Sequence, residues 1–234
     1  MRKVQHHMGM PISIDIPNCK NKAVFNACWQ LCAQIEVQYS PYIPTSEVSR
    51  IASGELSLQN ASQSMQEIVA LATTYEQTTN GYFSVYFNGA FNPTGIVKAW
   101  AIQQLALCIE ANGYSTYLVN AGGDILCNST TKKRWQLAIS NPGDPNNTIG
   151  TITADNIAIA TSGSYQKGAH IYDPKAGAPT TALQNVTVIG PSIITADVYA
   201  TALYAMGLNA LPFAKTLQDY SCYIIDANNM LYSF

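Results

Sequence analysis

The chain has 234 residues, with 12 Lys and Arg against 14 Asp and Glu for a net charge of −2, and a pI near 5.9. Hydrophobic residues make up 47% and charged residues only 11%, against a usual ~25% charged, so the interior is sizeable and Asn, Gln, Ser and Thr must cover much of the surface. No basic stripe points to nucleic acid, no apolar run reaches the ~18 residues of a membrane span, and at roughly 150 residues per domain the length suits one large domain or two small ones.

The N-terminal stretch MRKVQHHMGMPISIDI lacks the long apolar core of a secretory signal. His6 and His7 fall near a terminus read as prone to disorder, and residues 9–16 alternate loosely as a first strand. Over residues 20–39, Val24, Phe25, Cys28, Leu31, Cys32 and Ile35 recur at three and four and predict a helix with one apolar face. The segment 39–51, YSPYIPTSEVSRI, reads as loop, with a short helical turn at Ser46-Glu47. A second helix is expected over about 59–79, then loop over 80–95, where Gly and Asn favour turns. A third helix runs from about 95 to 112 and stops at Asn112-Gly113.

Short strands follow at 114–120, 124–128, 135–140, 149–153, 157–161, 169–172 and 186–189. Residues 191–207, PSIITADVYATALYAMG, then form a helix that is nearly all apolar, alanine or threonine. A helix near 210–219 and a terminal hairpin (221–226 and 229–233) close the chain. Helices first and strands later, without strict alternation, predict an α+β fold with mixed or antiparallel sheets flanked by helices, rather than a doubly wound one.

The six cysteines contain no CxxC pair, so small core residues are the simpler reading than a zinc site or disulfides. Unpaired cysteines suit a reducing compartment, and with no signal or lipobox visible the expected location is cytoplasmic. An exported form remains open if the chain is trimmed.

Four stretches carry more polar and glycine detail than a core needs. In FNPTGIVKAW (91–100), Lys98 follows a glycine turn at a helix start, where backbone amides favour anions; a solvated lysine at a helix edge is the plainer alternative. In VNAGGDIL (119–126), two glycines allow close backbone approach to a ligand, or simply make a tight hairpin with Asp124 in the turn. ATSGSYQKGAHIYDPKAGAP (160–179) gathers Thr161, Ser162, Gly163, Lys167, His170 and Asp173, either as a pocket wall or as an exposed loop. In the helix over 191–207, Asp197 and Thr201 lie four apart and share a face. They can present two oxygens to Mg²⁺, which takes one or two carboxylates plus substrate phosphates. The rival is a helix-start carboxylate satisfied by free N–H groups.

In order, these stretches resemble the ApbE family, the FAD:protein FMN transferases. MGMPISIDI is similar to that family's Met-Gly-Thr strand and YSPYIPTSEVSRI to its Ser-Glu segment. NPTGIVKAWA resembles its Asp-Leu-Gly-Gly-Ile-Ala-Lys-Gly motif, VNAGGDI its Gly-Gly-Asp strand, and ATSGSYQKGAHIYDP its Thr-Ser-Gly-Asp segment ending in His-Ile-Ile-Asp-Pro. VTVIGPSIITADVYATALYAMG resembles the last motif. The resemblance covers about residues 8–207 and implies an ApbE-like fold, a single flavin transferase domain over 1–234.

It also implies a reaction. FAD binds with Mg²⁺, FMN passes to a threonine or serine of a partner flavoprotein, and AMP leaves; FAD pyrophosphatase activity or flavin binding without chemistry are the alternatives. By resemblance, the metal ligands are Asp197, Thr201 and the carbonyl of Gly95. The FAD contacts are Met8, Tyr39, Ser46, Glu47, Lys98, Gly122, Gly123, Asp124, Thr161, Ser162, Gly163 and His170, with His170, Lys98 and Asp197 catalytic. The chain departs from the family at Asn92 and Ser164, where aspartates are usual, at Ala99 and at Gln103. The stretch between GYF (81–83) and NPTG (92–95) is short, so one subdomain is expected to be reduced.

Overall fold

The computed structural model of the protein describes residues 1–87, 89–141, 148–163 and 171–234. Its elements are, in order, strands β1 (Arg2–His7) and β2 (Met10–Asp15), helices α1 (Ala23–Tyr39), α2 (Glu47–Ala52) and α3 (Gln63–Thr78), and strands β3 (Tyr86–Phe87) and β4 (Ala90–Phe91). Then come α4 (Thr94–Ala111), β5 (Tyr117–Ala121), β6 (Asp124–Asn128), β7 (Trp135–Ser140), β8 (Thr148–Ala154), β9 (Ile157–Gly163), β10 (Tyr172–Asp173) and β11 (Ala178–Pro179). Strand β12 (Leu183–Gly190), helices α5 (Ile193–Met206) and α6 (Ala210–Ala214), and strands β13 (Ser221–Asp226) and β14 (Leu231–Ser233) complete the chain.

Eight strands form one sheet in the order β1-β2-β5-β6-β9-β12-β13-β14, and each neighbouring pair is antiparallel. Period-two alternation sends successive side chains to opposite faces. On β9, Ala158 and Ala160 join the main core while Ile159 points to a second, smaller one; on β12, Val186 and Val188 join the first and Ile189 the second. Helices α1, α4 and α5 cover the first face. The β7–β8 hairpin covers the second through Trp135, Leu137 and Ile139. Alanines at 196, 200 and 202 let α5 lie close against β9 and β12.

The fold is thus α+β as expected, and the sheets are antiparallel among the described residues. Residues 2–7, read as disorder-prone, instead form β1. It is a polar edge strand joined to β2 by a two-residue turn, with Met8 and Gly9 at φ 52° and 72°, the left-handed pair that a tight hairpin requires. His7 stacks on Trp29 of α1, with ring centroids 6.1 Å apart. The loop expected over 80–95 holds the short β3–β4 pair. The helix expected near 210–219 ends at Ala214. All six cysteines are free thiols, five of them buried. Among the described residues no helix is long and apolar enough to cross a membrane.

Candidate active site

Serines cap three of the helix starts. Ser46, Ser62 and Ser192 each accept a backbone N–H three residues on, from Ser49, Met65 and Thr195, as N-cap serines do. Because Ser192 caps α5, Asp197 lies beyond the first turn, where free N–H groups end. The helix-start reading of this carboxylate is therefore overturned, and its partner is a side chain from another element.

That partner is Lys98 of α4. Its ammonium pairs closely with Asp124 Oδ2 and lies 3.6 Å from Asp197 Oδ1. Asp124 is 1% exposed and Asp197 3%. Asp124 Oδ1 also accepts the Thr161 N–H at 3.0 Å. The plainer reading of Lys98 as a solvated helix-edge lysine thus fails: its side chain is 27% exposed and serves two buried carboxylates.

The electrostatics follow from burial. Desolvation disfavours the ionised carboxylate and raises the Asp197 pKa to about 7, with Lys98 pulling it down and Asp124 adding to the rise. Burial alone would lower the Lys98 pKa, but the Asp197 and Asp124 carboxylates outweigh it and hold the ammonium firmly protonated. Two carboxylates and one ammonium leave a surplus of negative charge among the described residues. One turn further along α5, Thr201 Oγ1 lies 3.2 Å from Ser162 Oγ of β9.

Glycines complete this side of the site. Gly122 and Gly123 take φ 58° and 101° in the β5–β6 turn, flanked by the Ala121–Asp124 pair. The two readings of VNAGGDIL are therefore both partly met: the glycines make the turn, and Asp124 is the first strand residue after it. A Cβ on Gly163 would come within 2.8 Å of the Gln184 carbonyl on the neighbouring chain segment. Gly95 sits exposed in the first turn of α4, three residues before Lys98. Asn92, where the family motif has aspartate, accepts hydrogen bonds from the Thr94 N–H and Oγ1 at 3.1 and 2.7 Å and so ties down the start of α4.

The residues expected to meet FAD do not all gather here. The side chains of Lys98, Asp124, Ser162, Asp197 and Thr201 lie on this side of the sheet, and Thr161 joins them through its backbone N–H while its hydroxyl pairs with Thr187. Tyr39, Ser46 and Glu47 belong to a separate network. Tyr39 is 2% exposed, tilts against Trp100 at 5.3 Å and donates its hydroxyl to Ser64. Ser46 Oγ is held between the Ser40 carbonyl and the Ser49 N–H. Glu47 accepts from the Ser62 N–H and hydroxyl and from Gln38.

Tyr39 as a flavin contact is corrected on this ground, since its ring is already enclosed. Position 39 extends the apolar stripe through Cys28, Cys32 and Ile35, a signal of core that the sequence carried. The exposed aromatic of the same segment is Tyr42, at 91%. Met8 occupies the β1–β2 turn and packs against the main core. His170 and Ser164 lie outside the described residues.

Comparison with known proteins agrees with the order of these motifs. The ApbE family pattern matches residues 8–92 and 89–224, and the chain belongs to the ApbE family. A FAD:protein FMN transferase of Klebsiella pneumoniae (strain 342) is 35% identical over 140 residues, 55% of this chain and 40% of that protein. The FAD:protein FMN transferase of Escherichia coli (strain K12) is 33% identical over 122 residues, 47% of this chain and 35% of that protein. The matched segments therefore span two fifths or less of these relatives. In three dimensions, the ApbE protein from Thermotoga maritima superposes with a TM-score of 0.84 at 17% identity, covering 99% of this chain and 96% of that one. The flavin transferase ApbE from Vibrio cholerae gives 0.80 at 21% identity, covering 100% and 96%. At those identities the likeness concerns the fold.

Proposed function

We propose that this chain, acting as a single domain over residues 1–234, transfers FMN from FAD to a threonine or serine hydroxyl of a partner flavoprotein, with Mg²⁺ as cofactor and AMP as leaving group. The reading is carried by one observation: a buried carboxylate pair served by a single lysine, with the Thr201 and Ser162 hydroxyls beside it. The names of the relatives support the same chemistry.

The donor set suits Mg²⁺. Asp197, the Thr201 hydroxyl and the Gly95 carbonyl are all oxygen donors, the class this ion takes, and the surplus negative charge at Asp197 is what a cation offsets. When bound, Mg²⁺ would neutralise charge on the pyrophosphate. The chain's own residues supply the rest. Lys98 brings a permanent positive charge to the phosphates, and the Gly122-Gly123 turn permits close approach of the nucleotide. Asp124 fixes Lys98 against β9. In the transfer, the acceptor hydroxyl oxygen bonds to the FMN phosphorus, the bond from that phosphorus to the AMP oxygen breaks, and the hydroxyl proton passes to a base, the role assigned to His170. We assign the flavin-facing aromatic to Tyr42 in place of Tyr39.

A second reading, FAD binding without turnover, is favoured by Asn92: an amide that secures the start of α4 stands where the family motif has a carboxylate. A third, hydrolysis of FAD to FMN and AMP, differs only in using water as acceptor. Purified protein incubated with FAD and Mg²⁺, with and without a flavoprotein acceptor, separates them. AMP with a covalently flavinylated acceptor is the expected result. AMP with free FMN in both arms would indicate hydrolysis, and bound FAD with no AMP would leave only binding. Asp197→Ala is expected to abolish Mg²⁺-dependent turnover, and full activity in that variant would sink the metal assignment.

A further inference from the structure

The two carboxylates around Lys98 are held very differently. Asp124 is committed on both oxygens: Oδ1 accepts the Thr161 N–H at 3.0 Å and Oδ2 takes the close ion pair with Lys98. Thr161 belongs to β9, which pairs directly with Asp124's own strand β6, so this carboxylate is fixed by the sheet. Asp197 meets the same ammonium only at 3.6 Å, a loose ion pair for a residue 3% exposed. A buried carboxylate stripped of its counter-charge is strongly unfavourable, so the metal-free protein needs Lys98 near Asp197. A cation arriving at Asp197 makes that contact redundant and repels the ammonium. The lysine stem is flexible and partly exposed, so it can withdraw while staying tied to Asp124.

We propose that the Lys98 ammonium is the resident counter-cation of Asp197 in the metal-free protein, and that Asp124 is a positioning residue that keeps the lysine in the site when a divalent cation takes Asp197. The inference rests on the metal reading above and adds that metal and lysine compete for one carboxylate.

Mn²⁺ binding followed by electron paramagnetic resonance, on flavin-free protein, tests it. Removing the competitor in Lys98→Met should tighten Mn²⁺ by about tenfold, the scale of one partly desolvated ion pair. The metal-free variant should also melt at a lower temperature than wild type and recover more on adding Mn²⁺. Asp124→Asn should weaken Mn²⁺ by a similar factor, because the freed lysine moves fully onto Asp197. That penalty should shrink in the Lys98→Met background, which a merely electrostatic role for Asp124 would not produce. Equal or weaker Mn²⁺ binding by Lys98→Met overturns the proposal. If that variant does not fold, Asp124→Asn decides: unchanged or tighter binding overturns it. Wild-type protein that binds no Mn²⁺, or an Asp197→Asn variant that binds it as tightly, overturns both this inference and the metal reading. Loss of binding in Asp197→Asn without tightening in Lys98→Met overturns this inference alone.

Discussion

Two tyrosines three residues apart have opposite fates. Tyr39 ends α1 on its buried stripe, with its ring against Trp100 and its hydroxyl on Ser64. Tyr42 lies just beyond the helix and is almost wholly exposed. An exposed aromatic face offers stacking worth about 1 kcal/mol or more to a planar ring. Tyr42→Ala is therefore expected to weaken FAD binding by roughly five- to tenfold with no change in melting temperature, read by titration calorimetry and thermal denaturation. Unaltered FAD affinity would remove Tyr42 from the site. The sequence resemblance pointed to Tyr39 as the flavin contact, whereas the structure encloses that ring. Counting the helical stripe forward from Ile35 assigns Tyr39 to the core.

Three helices are tied together at one carboxylate. Glu47 opens α2, receives Gln38 from α1, and receives both the N–H and the hydroxyl of Ser62, the residue that caps α3. Burial on its own would raise the Glu47 pKa, but these hydrogen bonds outweigh it and hold the carboxyl below its ordinary 4.5. A carboxyl whose pKa is depressed on folding stabilises the fold fully above its unfolded value and loses that contribution as pH falls through the folded one. Glu47→Ala should thus cost about 1–3 kcal/mol at neutral pH by stranding its donors. Denaturant melts at descending pH should show that difference closing below pH 4.5; a constant difference would refute the account.

The existence of most elements was legible, because α1, α4 and the strands from 117 onward carry clear periodicity and stop signals. Strand β1 was not, since RKVQHH is polar on both faces and an edge strand needs no apolar alternation. The site was legible as separate motifs, each with a bland rival. What decided between rivals was tertiary: only the packing of α4 against α5 and the sheet shows that Lys98 answers both Asp124 and Asp197.

At the scale of the molecule, the sheet is a meander in which strands adjacent in space follow one another along the chain, interrupted by insertions. The β7–β8 hairpin lies between β6 and β9, and α1 to α4 lie between β2 and β5. Central strands β6, β9 and β12 are covered on both faces, whereas β1 and β14 are edges. Hydrogen exchange should therefore be slowest in the amides of β6, β9 and β12 and fastest in β1 and β14; equal protection across the sheet would contradict this layering.

The interruption between Asp15 and Tyr117 bears on how the protein assembles. Closing a long loop carries an entropic cost before its contacts repay it, and the β2–β5 seam is the sheet pairing that spans the most chain. Asp124, Thr161, Ser162, Asp197 and Thr201 lie beyond β5 in the chain, whereas Lys98 and Tyr42 belong to the insertion between β2 and β5, and Met8 precedes β2. The charged cluster is therefore completed only when the insertion that carries Lys98 packs back onto the elements that carry Asp124 and Asp197.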